Sequence, residues 1–495
     1  MRRSLRLLAV SGAALLLVGG YLTADVYDLV PGVLTLQRTP TTAGMPGSQA
    51  ATPGASPSRP VTQVPIPSVG ASVAAPLFAA AGTAPLPTTA GLSAALAAAL
   101  ADPGLGSSVG LTVRDASTGT HLLDVSAQVP RTPASTAKLL TAAAIMSALD
   151  PDLTLATRAV RGASAGQASA GQVIDVILVA GGDTLLSPGV GNPAAVAGRA
   201  GLADLAAQSV QSLKAQGVTS VKVHIDERYA AGDKYAPGWS QVDVNDGLTG
   251  PVAMLGLSTQ RPTPGKVASA DPALSAAKAF ATALAAGGLT VAPDIDRAAS
   301  PEGAPDLGVV QSAPVADVLA LALEDSDNAL TESLARQATV KSGQATSFAA
   351  VAAWVKASVA ATGVDMDGVT LIDTSGLSRG TLIPARVLGD VLALASGGQR
   401  AGLQDVVAQL PVAGLTGTLA DRFLKGATHS AAGIARAKTG TLTGASAIAG
   451  TVVDKDGRLL TFAILADNVP SGVGTLTARA ALDRLVAVLA ACGCR

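Results

Sequence analysis

The chain has 495 residues, a formal net charge of −1 from 34 lysines and arginines against 35 aspartates and glutamates, and a pI near 6.3. No basic field is available to hold a nucleic-acid backbone, and with 2% aromatic residues there are few platforms for stacked bases, which together disfavour nucleic-acid binding. The length exceeds what one core fills, about 250–300 residues, and calls for two or three domains.

At the amino end, Arg2, Arg3 and Arg6 precede an uncharged, mostly apolar run from Leu7 to Ala24, between a signal-peptide core and a short transmembrane helix in length. Either reading exports the chain, with the arginines held in the cytoplasm and everything after Asp25 outside. The absence of a clean A-x-A cleavage site favours an uncleaved anchor over 1–30. Residues 31–90 are rich in Pro, Thr, Ser, Ala and Gly with little apolar periodicity, which reads as a disordered linker. At about 3.1 Å per residue where it is extended, it can hold a folded body well away from a membrane.

Folded sequence begins near "AGLSAALAAAL", a helix, followed by "VGLTVRD", the turn "ASTGT" and "HLLDV", a strand-turn-strand pattern. A helix then follows over "TPASTAKLLTAAAIMSAL", Thr132 to Leu149. From about 151 to 311 short β-like runs such as "VIDVILV" and "SVKVHID" alternate with Gly/Pro/Ser loops and alanine-rich helices, which reads as a mainly β inserted region. Helical text returns at Ala313 to Thr339, and "ARAKTGTLTGASAIAGTVVDKDGRLLTFAILADN" gives apolar runs joined by the turn "DKDGR", consecutive antiparallel strands. An amphipathic helix closes the chain. This order predicts an α+β catalytic domain over 91–150 and 312–495, split by the insertion at 151–311.

Both cysteines, Cys492 and Cys494, lie in the last four residues, where they cannot staple a long loop. They read as a frayed tail, with redox or intermolecular pairing as the alternative. His121, His224 and His429 stand far apart with no metal-ligand spacing, so neither a metal nor another cofactor is implied.

Three short motifs carry the chemistry. Ser135 and Lys138 stand at helical i,i+3 spacing, with Cβ atoms about 5–6 Å apart, close enough for a nucleophile and its base. Pro133 places Ser135 near a helix N-terminus, where free N–H groups favour developing negative charge. A lysine acts as a base near neutrality only if its ordinary pKa of about 10.4 is lowered by burial or a second cation. "SDN" at Ser326 to Asn328 offers a hydroxyl and a carboxamide at a turn or helix start, and "KTGT" at Lys438 to Thr441 lies on a strand where alternate side chains share a face. Lys438 is then the second cation, with Thr439 and Thr441 as hydroxyls for a carboxylate. Each motif alone reads as capping or turn chemistry, and "SAAK" at Ser275 to Lys278 repeats the first spacing without the others. Their order, S-x-x-K, then S-x-N, then K-T-G, separates the two readings.

That order resembles the penicillin-recognising serine enzymes. Longer stretches, "LVAGGDTLLS", "VKVHIDERYAAG", "GPVAMLGLSTQR", "EDSDNALTESLAR", "IDTSGLSRGTLIPAR" and "LPVAGLTGTLADRF", resemble the D-alanyl-D-alanine carboxypeptidase/endopeptidase family, the class C low-molecular-mass penicillin-binding proteins of peptidase S13 type, from about Gly91 to Leu489. Thr184 departs from the family's usual proline after the G-G-D aspartate. The resemblance implies a serine β-lactamase/penicillin-binding transpeptidase-like domain, no cofactor, peptidoglycan stem peptides as substrate and β-lactams as covalent inhibitors. It implies Ser135 as nucleophile, Lys138 as base and Ser326 as proton relay. Asn328, Lys438, Thr439, Gly440 and Thr441 would hold substrate. A β-lactamase and a catalytically idle wall-binding scaffold are the competing expectations.

Overall fold

The computed structural model describes residues 84–162, 173–398 and 401–495. The expected membrane segment over 1–30 and most of the expected linker over 31–90 lie outside them. No helix among the described residues is long and apolar enough to cross a membrane.

The described residues open with helix α1 (Thr89–Leu100), strands β1 (Ser108–Asp115), β2 (His121–Val125) and β3 (Pro130–Arg131), and helix α2 (Lys138–Ala148). Next come β4 (Thr154–Arg161), β5 (Val173–Val179), α3 (Leu202–Ala215), β6 (Ser220–Asp226), α4 (Gln241–Asn245), α5 (Pro272–Ala286), β7 (Thr290–Val291), β8 (Asp296–Arg297) and β9 (Asp306–Pro314). The remainder is α6 (Val315–Glu324), α7 (Asn328–Lys341), α8 (Phe348–Ala360), β10 (Ile383–Pro384), α9 (Ala385–Ser396), α10 (Ala401–Ala408), β11 (Ala435–Leu442), β12 (Ala445–Val453), β13 (Leu459–Asp467) and α11 (Thr475–Ala491).

Five strands form an antiparallel sheet in the order β11-β12-β13-β1-β2. Side chains alternate faces along a strand, so β12 and β13 serve two cores at once. Ala447, Ala449, Ala463 and Leu465 pack with α2, α6 and α9 on one side. Ile448, Val452, Phe462 and Ile464 pack with α1 and α11 on the other. This double cover explains why the strand text is apolar at nearly every position. Thr88 caps α1 by accepting from the Gly91 N–H at 3.1 Å, and Leu92 and Leu96, one turn apart, are fully buried beneath it.

The inserted segment builds its own sheet, β7-β6-β5-β4-β9, with β8 beside β6. The expectation of a mainly β region is corrected here. Strands β5, β6 and β7 are parallel, and parallel neighbours need crossovers, which α3 and α5 supply. Leu202, Leu205 and Leu213 of α3 meet Phe280 and Leu284 of α5 in one buried cluster over the sheet. Strand β9 runs to Pro314, past the boundary expected at 311.

The inserted segment and the rest of the fold meet through hydrogen bonds to α7 and the loop after α8. Trp239 Nε1 donates to Asp373 at 2.8 Å, Ser333 Oγ to the Ala253 carbonyl at 3.0 Å, and Gln337 to the Gly182 carbonyl at 3.2 Å. The buried Arg336 guanidinium donates to the Asp233 carbonyl at 2.8 Å and stacks over Phe348 at 5.1 Å.

The carboxyl end is not frayed, contrary to expectation. The Thr88 N–H donates to the Cys494 carbonyl at 2.7 Å, Cys492 is 5% exposed, and the two sulfurs are paired with each other. Leu489 and Cys492 share the apolar cluster under α1, which anchors the tail.

Candidate active site

Ser135 stands three residues ahead of the α-helix proper, not on the α-helix expected from Thr132. Residues Ala134–Ala137 form a 3₁₀ turn after Pro133, and the α-helix proper starts at Lys138. Ala134 has φ of 46°, a left-handed kink that a residue other than glycine adopts at a cost, and it turns the chain into the Ser135 corner. Lys138 is fully buried, and its Nζ lies 3.0 Å from Ser135 Oγ, 2.5 Å from Asn328 Oδ1 and 2.8 Å from the Ser375 carbonyl.

Those three acceptors use all three N–H donors of an ammonium. A neutral amine has two N–H groups and one lone pair. With Asn328 and Ser375 accepting the two, the lone pair is left toward the Ser135 hydroxyl. The surroundings therefore aim the base before substrate arrives. Burial pulls the Lys138 pKa down to about 8, against the attraction of Asp373, Glu332 and Asp327.

Asn328 is the first residue of α7, and Asp327 caps that helix by accepting from the Leu330 N–H at 2.9 Å. Arg261 pairs with Asp327 at 2.9 Å and with Asp325 at 3.1 Å, fixing the loop from the inserted side. Ser326, between them, has φ of 57° and turns its hydroxyl to Lys438, whose Nζ donates to it at 2.9 Å. Lys438 also donates to the Thr439 carbonyl at 3.0 Å, and Thr439 Oγ1 donates to Thr418 Oγ1 at 2.9 Å.

Burial is the first cause of the lowered value at each lysine, and at Lys438, held well below the ordinary lysine value, the repulsion of Lys138 and Arg422 adds to it. Two ammonium groups this deep in one site cannot both stay charged cheaply.

Ser135, Ser326, Asn328, Thr439 and Thr441 line one cleft of about 730 Å³. Lys138 and Lys438 lie fully buried beneath it. All the residues of the three motifs are thus brought together. The decoy is not: Ser275 Oγ pairs with Ser269 Oγ at 2.9 Å, while Lys278 is exposed on α5.

Gly440 is required by space. A Cβ there would stand 2.5 Å from the Pro133 carbonyl and 3.2 Å from the Ser135 nitrogen. Gly440→Ala is expected to push strand β11 off the Ser135 turn and slow acylation by on the order of 10²-fold, since a displacement of about 1 Å in a reacting pair costs that much. Stopped-flow acylation by a chromogenic penicillin checks this. Gly376 plays the same part on the other side, with φ of 77° and a position where a Cβ would meet the Ala134 carbonyl at 2.0 Å.

Several contributors escaped the sequence reading. Glu332, fully enclosed on α7, accepts from the Thr374 N–H, the Thr374 hydroxyl and the Ser375 N–H, each at 2.7 Å, and so holds the carbonyl that receives Lys138. Burial and then Asp373 raise its pKa to about 7, against those bonds. Asp373 accepts from the Gly376 and Ser378 N–H groups at 2.7 Å. Leu248, from the inserted region, offers its carbonyl to Asn328 Nδ2 at 2.7 Å. Glu332 and Asp373 stand in the segments "EDSDNALTESLAR" and "IDTSGLSRGTLIPAR", and their place in stretches that carry the family resemblance was the signal available.

Comparison with known proteins identifies the family. Residues 92–261 and 257–490 match the D-Ala-D-Ala carboxypeptidase 3 (S13) family. Carboxypeptidase DacB of Mycolicibacterium smegmatis is 39% identical over 420 residues, 83% of this chain and 86% of that protein. Carboxypeptidase Rv3627c of Mycobacterium tuberculosis is 37% identical over 428 residues, 86% and 88%. The crystal structure of penicillin binding protein 4 (dacB) from Haemophilus influenzae superposes with a TM-score of 0.63 at 18% identity, over 81% of this chain and 98% of that one, which shows a shared α+β fold. These matches set the chain among the peptidases rather than with a β-lactamase or an idle scaffold. The chain belongs to the D-Ala-D-Ala carboxypeptidase 3 (S13) family and is a serine-type enzyme of that family.

Proposed function

We propose that Ser135 is the nucleophile of an acyl-enzyme mechanism that hydrolyses the D-alanyl-D-alanine end of peptidoglycan stem peptides. The observation that carries this reading is Lys138 Nζ at 3.0 Å from Ser135 Oγ, fully buried and with its other two donors engaged. As Ser135 Oγ bonds to the carbonyl carbon, its proton passes to Lys138, a contribution of about 10²–10⁴-fold for a well-placed base. The backbone N–H groups of Ser135 and Thr441 receive the developing oxyanion, each worth roughly 10²–10³-fold. Collapse breaks the C–N bond, and the amine takes its proton from Lys138 through the Ser326 hydroxyl. Thr439 and Thr441 hold the leaving residue's carboxylate, while Asn328 orients the substrate amide with the donor that Leu248 leaves free. Water then attacks the ester, with Lys138 again accepting the proton.

A β-lactam follows the same first step, but its amine stays tethered after the ring opens, so the ester persists. No metal or cofactor enters. The work lies outside the cytoplasm, with the amino-terminal apolar run as membrane anchor and the proline-rich stretch as spacer to the wall.

Because the base is neutral when active, hydrolysis of a D-Ala-D-Ala pentapeptide at limiting substrate should rise about tenfold per pH unit on the acid side and level off above the Lys138 value of about 8. A profile flat from about pH 6 to about pH 9 would mean that another group is the base.

A further inference from the structure

Past Thr439 the cleft does not end. Its wall of Asp421, Arg422 and Arg479 is shared with a second groove of about 460 Å³, which runs between residues 421–428 and the first turns of α11. Lys425 and the exposed side chains of Leu424 and Leu476 line that groove. Arg422 is matched by the buried Asp483, with Nε–O distances of 3.1 and 3.2 Å. Among the described residues, the side chains of Arg479 and Lys425 have no ion-pair partner, so against the single carboxylate of Asp421 the groove is net positive.

Trimming a terminal alanine gives this groove no occupant, because the leaving residue then ends at its carboxylate on Thr439 and Thr441. A cross-linked peptide differs. Its leaving residue presents the same carboxylate, but its side chain continues into a second stem peptide with carboxylates of its own. We propose that this groove is the leaving-group subsite for cross-linked stem peptides, with Arg479 and Lys425 as the residues that select them over uncross-linked ends.

The proposal rests on the assignment of Thr439 and Thr441 to the leaving residue's carboxylate. The bond changes are those of trimming: the C–N bond breaks, Ser135 keeps the acyl group, and the departing nitrogen takes the proton from Lys138. Only the size and charge of the departing amine change. The two cations contribute by attraction at a solvent-exposed rim, which salt screens.

The test compares kcat/KM for a purified cross-linked muropeptide dimer and for an uncross-linked pentapeptide, in wild type, Arg479→Glu and Lys425→Glu. The expected result is a fall in the dimer-to-pentapeptide ratio of on the order of tenfold per reversed charge at low ionic strength, shrinking as salt is added. An unchanged ratio, or a wild-type enzyme that trims the pentapeptide and leaves the dimer intact, would overturn the subsite. Lys425→Gln, at an exposed position, repeats the test should either reversal impair folding. Failure of the underlying mechanism looks different, since Ser135→Ala would then still cleave both substrates.

Discussion

Ser135→Ala should reduce hydrolysis of a D-Ala-D-Ala pentapeptide by roughly 10⁶-fold, the scale seen when a serine nucleophile is removed from an otherwise intact site. The loss is in kcat, because the cleft walls at Ser326, Thr439 and Thr441 are untouched and substrate still has its contacts. Folding should survive. Ser135 is only partly buried, and removing its hydroxyl takes one acceptor from Lys138 while the Asn328 and Ser375 acceptors remain. Product quantified by mass spectrometry, beside a thermal melt of the same variant, separates chemistry from stability. Near-normal hydrolysis in a folded variant would remove Ser135 from the mechanism.

Lys138→Met should cost about 10²–10⁴-fold in acylation, the worth of a positioned base, and raising the pH should not restore it. Methionine nearly fills the volume but offers no donor, which leaves the Asn328 Oδ1 and the Ser375 carbonyl short of partners in a buried site, at about 1–3 kcal/mol each. Against that, the variant no longer buries an ammonium. The sign of the pH dependence follows from the lowered folded value of Lys138, about 8, against about 10.4 when unfolded. Between those values the unfolded chain holds the extra proton, so wild-type stability rises with pH across that window, and below it the burial penalty stands in full. The variant should lack this rise. Melting curves from about pH 7 to about pH 10 read the difference, and parallel curves for the two proteins would mean that Lys138 keeps its proton throughout.

Much of the catalytic frame could be read from the chain, because side chains of distinctive chemistry recur at spacings that local geometry translates directly. Ser135 and Lys138 three apart on a turn, and Lys438 beside Thr439 on a strand, needed no tertiary information. The strands β6 and β11 to β13 were readable from apolar runs broken by turn residues such as "DKDGR". What stayed hidden was carried by main-chain atoms and by burial. The carbonyls of Ser375 and Leu248 act as acceptors whatever side chain they bear, so no residue type marks them. Glu332 on α7 reads as a solvent-facing helix residue until the loop bearing Thr374 and Ser375 closes over it. The depth at which Lys138 and Lys438 are buried is likewise something that spacing does not encode. In the inserted region the β-like runs drew attention from the alanine-rich helices α3 and α5, although parallel strands cannot connect without such crossovers.

The central claim is that Ser135, activated by Lys138, is the group that becomes acylated. Its most direct test is to label the protein with a fluorescent penicillin, digest it, and locate the modified peptide by mass in wild type and in Ser135→Ala. The expected result is one adduct on the peptide containing Ser135 and none in the variant. An adduct elsewhere, or equal labelling of the variant, would contradict it.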